Sequence, residues 1–394
     1  MSLRLNKISC RFGCMKNVLV LVFSNLKHDA RVSRQVNWLK RLHRVTVICF
    51  DSEEIQDVSI VKITQTKLSL TRKAFLGTAL LLRMYQLAYR IFHGYQAIIQ
   101  QFKSRKFDLI VANDIDTLPL AFALEGKKIL FDAHEYAPRH FENNKIWKTF
   151  FQPFYQALCK KYIPQTDAML TVGDGLAKEY QKHFGIMPTI ITNATRYSEI
   201  KPSEVKPDKI RLIHHGIANQ SRRIELMIEM MRYLDDRFTL DLMLITSNYA
   251  SNATKSYVGL LKENVAKNPR VHILPAVKSN EVVETINSYD LGVFLIPPIN
   301  FNYANTLPNK LFDFIQARLG IAIGPTPEMA SIVNTYGNGV VSENFEPESL
   351  ARKLNNLAPE DIVRFKRQSA IAAWQLNAEK NEVVFDTLIN KLLA

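Results

Sequence analysis

Short apolar runs alternate with amphipathic segments along most of the chain. Residues 18–24 form the first run, and the segment 30–44 places Val32, Val36 and Leu39 at three- and four-residue spacing. A short continuous apolar run predicts a strand covered on both faces, and the wider spacing predicts a helix with one buried face. Further predicted strands are 45–50, 59–64, 109–112, 129–133, 168–172 and 189–192. Strands that alternate with helices indicate right-handed crossovers and a parallel, doubly wound sheet.

Residues 196–208 interrupt this alternation. They contain Pro202, Pro207 and mixed charge without apolar periodicity, as is typical of an exposed linker. The alternation then restarts, with predicted strands 210–215, 240–246, 271–274, 291–296, 321–323 and 340–341 and helices 223–234, 255–266 and 281–288. A chain of 394 residues exceeds what one core usually supports. The sequence therefore predicts two consecutive Rossmann-like α/β domains, 1–196 and 197–370, facing each other across a cleft.

The two ends of the chain read differently from its middle. Residues 1–14 are basic and polar apart from single apolar residues, and we expect a disordered extension there. The apolar run that follows is too short for a secretory signal or a membrane span. Residues 359–394 read as one or two helices.

The stretch 303–328 reads as a loop, a short helix and a buried strand. Asn305 or Thr306 is predicted to cap the helix, Pro308 suits its first turn, and Gly320 is predicted to end it. The start of a helix carries free backbone N–H groups and a partial positive charge, so it favours an anion.

Asp313 lies about one turn further along this predicted helix. Its carboxylate could accept hydrogen bonds from sugar hydroxyls beside an anion at the helix start. The stretch therefore fits a nucleotide site. The alternative is an ordinary capped helix whose core residues are Leu311, Phe312 and Ile315.

Polar residues and glycines follow several predicted strands directly. Ligands of open parallel sheets bind beyond the carboxyl ends of the strands, although such residues also serve turns. Residues 132–135 place His134 between carboxylates, so it is a candidate donor, acid or base near neutral pH. Gly216 allows a ligand to approach the backbone, and Arg222 or Arg223 could bind a diphosphate.

Composition and charge limit the kinds of molecule that the protein is expected to bind. The formal charge is +14 with a pI near 9.5, which favours acidic partners without choosing among phosphates, nucleic acid and anionic lipid. No nucleic-acid-binding signature is present, so we expect no nucleic-acid partner. The cysteines are scattered and predict neither a disulfide frame nor a zinc site, which fits a reducing cytosol: Cys10, Cys14, Cys49 and Cys159.

Several segments together resemble the retaining glycosyltransferases of family 4, whose two α/β domains form the GT-B fold. The resemblance runs from about residue 16 to the C-terminus. Residues 29–32 and 44–47 resemble the first strand–helix–strand unit, 107–114 and 131–135 resemble first-domain loops, and 288–293 and above all 307–314 resemble donor-domain segments.

This resemblance implies transfer of a sugar from a nucleotide diphosphate donor, a UDP- or GDP-sugar, with retention of anomeric configuration and without a metal ion or other cofactor. In the family the diphosphate lies on backbone N–H groups that correspond to Thr306 and Leu307. The ribose lies on the acid that corresponds to Asp313. Asn309 and Lys310 belong to the same donor-binding segment.

The other implied positions lie outside that segment. Arg222 corresponds to the basic residue that follows the turn at Gly216, and His134 corresponds to the histidine near the transferred sugar. In GT-B proteins the final helix crosses back to the first domain. We therefore expect residues 371–394 to do so, with Trp374 anchoring the crossing.

Three positions depart from the family pattern. The usual pair of glutamates separated by seven residues would stand at 305 and 313, whereas this chain has Asn305 and the shorter Asp313. The basic residue common after the glycine is replaced by Ile217. The predicted site therefore carries less charge than is usual.

The stretches 71–106 and 145–162 are basic, apolar and rich in aromatic residues. They fit either ordinary helices with solvated basic faces or a peripheral membrane surface that presents the acceptor site to a lipid-linked glycan. The second interpretation also accounts for the net charge. It predicts a cytoplasmic protein on the inner face of the membrane.

The predicted function is transfer of a sugar from a nucleotide diphosphate donor to a surface glycan or a lipid-linked acceptor. Two alternatives remain open. One is a nucleotide-sugar 2-epimerase of the GT-B fold. The other is a non-catalytic GT-B protein that binds an active transferase.

Overall fold

A computed structural model describes residues 15–65, 68–246 and 251–394. The expected disorder of residues 1–14, with Cys10 and Cys14, lies outside this range. Contacts divide the chain into two units, one that ends at Ile191 and also includes Val384–Ala394, and one that comprises Thr192–Val383. The sequence places the corresponding boundaries at 196 and 370.

The first unit contains a seven-stranded parallel sheet in the order β3-β2-β1-β4-β5-β6-β7. The strand order reverses between β1 and β4, which are direct neighbours. The strands are β1 Asn17–Leu21, β2 Arg44–Cys49, β3 Val58–Lys62, β4 Leu109–Asn113, β5 Ile129–Ala133, β6 Ala168–Thr171 and β7 Thr189–Ile190. The helices are α1 Ala30–Leu39, α2 Leu70–Leu81, α3 Tyr85–His93, α4 Gln96–Phe102, α5 Leu118–Ala123, α6 Lys145–Tyr162 and α7 Asp174–Phe184.

The second unit contains a six-stranded parallel sheet in the order β10-β9-β8-β11-β12-β13. Its order reverses between β8 and β11. The strands are β8 Ile210–Ile217, β9 Phe238–Ile245, β10 Val271–Pro275, β11 Leu291–Phe294, β12 Gly320–Ile323 and β13 Gly339–Val341. The helices are α8 Glu225–Met230, α9 Asn252–Val265, α10 Val282–Ile286, α11 Phe301–Ala304, α12 Asn309–Gln316, α13 Pro327–Tyr336, α14 Pro347–Asn355, α15 Pro359–Gln375 and α16 Ala378–Leu393.

Both sheets confirm the predicted doubly wound α/β architecture. All residues of β4 and β11 and those of β1 after Asn17 are buried, as expected for strands covered by helices on both faces. Helix α16 begins in the second unit and ends in the first, where the ring of Phe385 lies 5.3 Å from that of Trp38. Trp374 packs edge-on against Tyr197 within the second unit.

Residues with left-handed backbone conformation divide one predicted helical stretch and shorten another. The stretch 71–106 forms three helices, because Arg83 (φ 56°) follows α2 and Gly94 (φ 66°) follows α3. The predicted helix 223–234 is reduced to α8, because Arg223 has φ 49°. Within the three described ranges, every helix is too short or too polar to cross a bilayer.

Gly292 in the middle of β11 is required by packing. A Cβ atom at this position would lie 2.3 Å from the ring of Phe314, a fully buried residue of α12. Helix α12 therefore approaches the sheet more closely than any residue with a side chain would permit.

We predict that Gly292→Ala lowers the free energy of unfolding of the second unit by roughly 1–3 kcal/mol, because the buried Phe314 ring must move. Gly259→Ala, on α9 where no atom lies within 4 Å of the new methyl group, is the control. That change should be neutral or stabilise by about 0.5–1 kcal/mol. Urea unfolding of both variants measures the difference, and equal stabilities would contradict the prediction.

Candidate functional site

The strand order of the second sheet marks where a ligand is expected. In open α/β sheets, ligands bind beyond the carboxyl ends of the strands at the point where the order reverses. Here that point lies between β8 and β11. Residues His214, His215 and Gly216 stand at the carboxyl end of β8, and Phe294 ends β11.

Gly216 faces two cationic side chains. Its φ of 125° is in the region that favours glycine. A Cβ atom on Gly216 would lie 3.3 Å from Arg222 NH1 and 3.4 Å from Lys310 Nζ. The missing side chain thus leaves room beside the backbone, and two positive groups from different elements border that room.

Lys310 is buried, with only 4% of its surface exposed. Its Nζ lies 3.3 Å from His214 Nε2 and 4.0 Å above the ring of Phe294. His214 Nδ1 is 2.9 Å from the carbonyl oxygen of Val293, so the proton resides on Nδ1 and Nε2 accepts from the lysine. Burial, followed by the charge of Arg222, holds the pKa of Lys310 well below its usual range.

Asp313 lies on the same helix and next to His215. His215 Nε2 is 3.5 Å from Asp313 Oδ2. Burial, with Lys310 and Arg222 adding repulsion, lowers the pKa of His215 to about 3, so its ring is neutral at pH 7. The contact is therefore not an ion pair.

The start of α12 differs from the prediction. Asn305 is not its N-cap, because Asn300 accepts a hydrogen bond from Tyr303 N–H and starts the separate helix α11, which Asn305 ends. The Asn305 amide donates to the carbonyl oxygen of Phe301 at 2.9 Å. Pro308 is the N-cap of α12. The predicted caps, Asn305 and Thr306, both lie before it.

The end of α12 also differs from the prediction. Arg318, with φ 63°, supplies the left-handed residue that was expected at Gly320. Gly320 instead begins β12, where a Cβ atom would lie 2.5 Å from the Leu291 side chain.

The loop between α11 and α12 keeps the features of an anion site. Leu307 is buried and its carbonyl oxygen accepts from Asn193 Nδ2 at 3.2 Å. Throughout the described part of the chain, no acceptor is bonded to the backbone N–H of Thr306 or Leu307. Ser221 Oγ and Tyr303 Oη lie 2.6 Å apart, which ties this region to the turn that carries Arg222.

The predicted site residues divide into two groups. Gly216, Arg222 and Lys310 converge, and Asp313 lies one turn along α12 from Lys310. The other two do not join them: the Asn305 side chain donates to the backbone of α11, and Asn309 is exposed. Arg223, the alternative to Arg222, binds Glu225 at 2.5 Å.

The first unit has its own cluster of charged groups at the carboxyl ends of β4 and β5. Asp132 is fully buried and accepts from Arg31 Nε and NH2 at 2.8 and 2.7 Å, and also from Gln35. His134 Nε2 lies 3.6 Å from Asp132 Oδ2, and its Nδ1 lies 3.3 Å from Asp114 Oδ2. Arg31 and Gln35 are on α1, so the sequence alone did not connect them to His134.

Two carboxylates determine the charge of His134. Burial opposes its ionised form, but Asp114 and Asp132 outweigh burial and raise the pKa of His134 to about 9. At neutral pH the ring is therefore an imidazolium that donates from both nitrogens. Among the roles expected from the sequence, a charged ring fits the hydrogen-bond donor best. Asp114, half exposed and at φ 62° and ψ 157°, occupies backbone space that is nearly restricted to glycine.

Residues 31–199 match the family model described as Glycosyltransferase Family 4. The match covers most of the first predicted domain and agrees with the resemblance noted above. No curated protein sequence matches the chain.

Solved structures are similar to the chain over nearly its whole length. Sucrose-phosphate synthase from Thermosynechococcus elongatus has a TM-score of 0.68 at 12% identity, covering 96% of this chain and 99% of that one. The E. coli trehalose-6-phosphate structure bound with UDP-2-fluoro glucose has 0.68 at 10%, covering 96% and 99%. Anabaena HepE in complex with UDP and glucose has 0.64 at 13%, covering 95% and 99%. At such identities the similarity establishes the fold, and it confirms the predicted GT-B class.

We predict that His134 makes stability depend on pH. Because its folded pKa is raised to about 9, its contribution is complete below about pH 6.5 and is lost as pH rises through about 9. The contribution is on the order of 3 kcal/mol. His134→Gln should remove this loss, as followed by urea unfolding from pH 6 to 10.

His183→Gln is the control for this series, since the side chain is 46% exposed on α7 of the same unit. The control should follow the wild-type profile. Parallel profiles for the wild type and His134→Gln would show that His134 is not charged in the folded protein.

Proposed function

We propose that this chain, a glycosyltransferase of the GT-B type, moves a hexose from a UDP-sugar, or alternatively a GDP-sugar, to a glycan or lipid-linked acceptor with retention. The convergence of Arg222 and Lys310 on Gly216 carries the proposal. Two basic side chains converge on an open backbone at the expected edge of a parallel sheet, and the loop before α12 carries unbonded N–H groups. This combination suits a diphosphate.

Each group of the site has a role in this proposal. The diphosphate lies beside Gly216, bound by Arg222, Lys310 and the N–H groups of Thr306 and Leu307. Asp313 accepts from ribose hydroxyls. Because side chains and backbone supply the positive charge, the proposal includes no metal ion. HepE is found in complex with UDP-glucose, which supports UDP as the first nucleotide to test.

His134 is assigned to the transferred sugar. As an imidazolium whose two N–H groups face Asp114 and Asp132, His134 holds a fixed positive charge and cannot accept a proton. Its proposed role is therefore to fix the geometry around the transferred sugar and to stabilise negative charge as the bond to phosphate breaks.

We predict that UDP raises the unfolding temperature and that Arg222→Ala removes about half of this shift or more. A hundredfold excess over Kd stabilises the folded state by about 2.7 kcal/mol, and loss of a charge-assisted pair weakens binding by at least about tenfold. Arg232→Ala, at an exposed arginine on the same unit, is the matched control. If UDP, GDP and their sugars leave the unfolding temperature unchanged, the proposed donor site is wrong.

Product analysis separates transfer from the two alternatives. An epimerase would convert a nucleotide-sugar without any acceptor, whereas a transferase needs one. A non-catalytic partner would show no turnover that depends on Asp313 or His134. We expect acceptor-dependent release of UDP that is lost in Asp313→Ala and strongly reduced in His134→Ala.

The acceptor and its location are proposed from the first unit. Helices α2, α3 and α6 pack on one another, which brings together the basic stretches 71–106 and 145–162. The exposed surface of these three helices, here called the α2–α3–α6 face, includes large apolar side chains: Leu70, Phe75, Leu81, Leu82, Met84, Leu87 and Ile146. Exposed cations accompany them: Arg72, Lys73, Arg83, Arg90, Lys145 and Lys148.

A cavity of about 500 Å³ opens in this region and is lined by Tyr85, Tyr89, Leu120, Arg83 and Arg90, among others. Its volume falls within the roughly 300–1,000 Å³ of small-molecule sites. An apolar cavity with cations at its edge suits a lipid with an anionic head. We propose that the α2–α3–α6 face binds the inner surface of the membrane and receives a lipid-linked acceptor.

We predict that the protein co-sediments with anionic vesicles at low salt and that Arg83→Glu with Arg90→Glu reduces binding by at least about tenfold, since each basic residue contributes about 1 kcal/mol. Lys178→Glu with Lys182→Glu, on exposed positions of α7, makes the same change in net charge. Equal loss in both double variants would indicate non-specific attraction and would exclude a defined membrane face.

A further inference from the structure

Lys310 has an unusual environment for a lysine. Its amine is buried and contacts a neutral imidazole and an aromatic ring. Among the residues described, no carboxylate lies within ion-pair distance of Nζ. A buried ammonium without such a partner is strongly disfavoured, so the lysine either loses its proton or acquires an anion.

The charged and titratable groups around Lys310 come from four elements. His214 and His215 belong to β8, Arg222 to the turn before α8, Tyr303 to α11 and Asp313 to α12 itself. Phe294 of β11 contributes only its ring. Arg222 repels a second positive charge, whereas Asp313 favours it, and both histidines have a lowered pKa and are neutral.

We propose that Lys310 is a proton-linked phosphate ligand, uncharged in the free enzyme and protonated from solvent when a nucleoside diphosphate binds beside Gly216. The inference rests on the proposed function. It also explains how the site operates with apolar Ile217 after the glycine, because the second positive charge comes from α12 and is present only when phosphate requires it.

The proton balance is simple. In the free enzyme the amine donates one N–H to His214 Nε2 and carries a lone pair. When the anion enters, the amine takes one proton from the buffer and donates additional N–H groups to phosphate oxygens. The lowered pKa of Lys310 supports this order of events, because a nearby anion raises the pKa again.

Isothermal titration of UDP into the full chain tests the proposal. Runs at about pH 8 in buffers of different ionisation enthalpy give the number of protons taken up, since UDP is already fully ionised there. We expect an uptake approaching one proton in the wild type and none for uridine, which lacks phosphate. Arg222→Gln should bind more weakly and keep the uptake, whereas Lys310→Met should lose it.

A second measurement needs no ligand. If the pKa of Lys310 is lower in the folded than in the unfolded state, the unfolded state binds an extra proton, and this destabilises the fold. The penalty disappears as pH approaches about 10, so the stability of the wild type relative to Lys310→Met should increase as pH rises. A difference that stays constant with pH would overturn the proposal.

The possible failures can be told apart. UDP that binds without proton uptake, or with the same uptake in Lys310→Met, overturns the role of Lys310 and leaves the proposed function intact. If neither UDP nor inorganic pyrophosphate binds, the proposed donor site and the inference fail together.

Discussion

The burial of positive charge at the carboxyl edge of the second sheet is the constraint on which the candidate site depends. Gly292 allows α12 to approach β11 through Phe314, and this packing holds Lys310 beneath the protein surface. The same edge carries Gly216, whose missing side chain keeps the region next to the amine open. Packing that serves the core thus buries an amine whose protonated form has no carboxylate partner in the described part of the chain.

The first unit solves the same electrostatic problem differently. Asp132 is as deeply buried as any core residue, yet Arg31 pairs with it through two nitrogens, and its pKa lies well below the usual range despite burial. His134 lies between Asp132 and Asp114 and is charged for that reason. A cluster that neutralises itself fixes geometry, whereas a cluster with excess charge attracts a ligand. The contrast supports an orienting role for His134 and a binding role for Lys310.

Much of this arrangement could be predicted because it follows from local patterns. Apolar strand runs located the sheets, and the glycine at the carboxyl end of β8 and the acid in α12 located one end of the site. The start of α12 was misplaced because Asn300 caps a separate short helix, and the competition between two caps eight residues apart depends on packing. The Arg31–Asp132 pair joins residues 101 positions apart, so no local pattern could reveal it.

The departures at 217 and 305 show why position in the sequence is an incomplete guide to the charge of a site. Replacing a basic residue by Ile217 removes one charge from the turn, but Lys310 Nζ comes from another element and lies within 3.4 Å of the position of a Gly216 Cβ atom. The site therefore keeps two basic side chains. The acid that Asn305 replaces has no such substitute, and the Asn305 amide already donates to the carbonyl oxygen of Phe301. Of the two departures, the one at 305 thus alters what the site can recognise, and the one at 217 alters mainly when its charge is present.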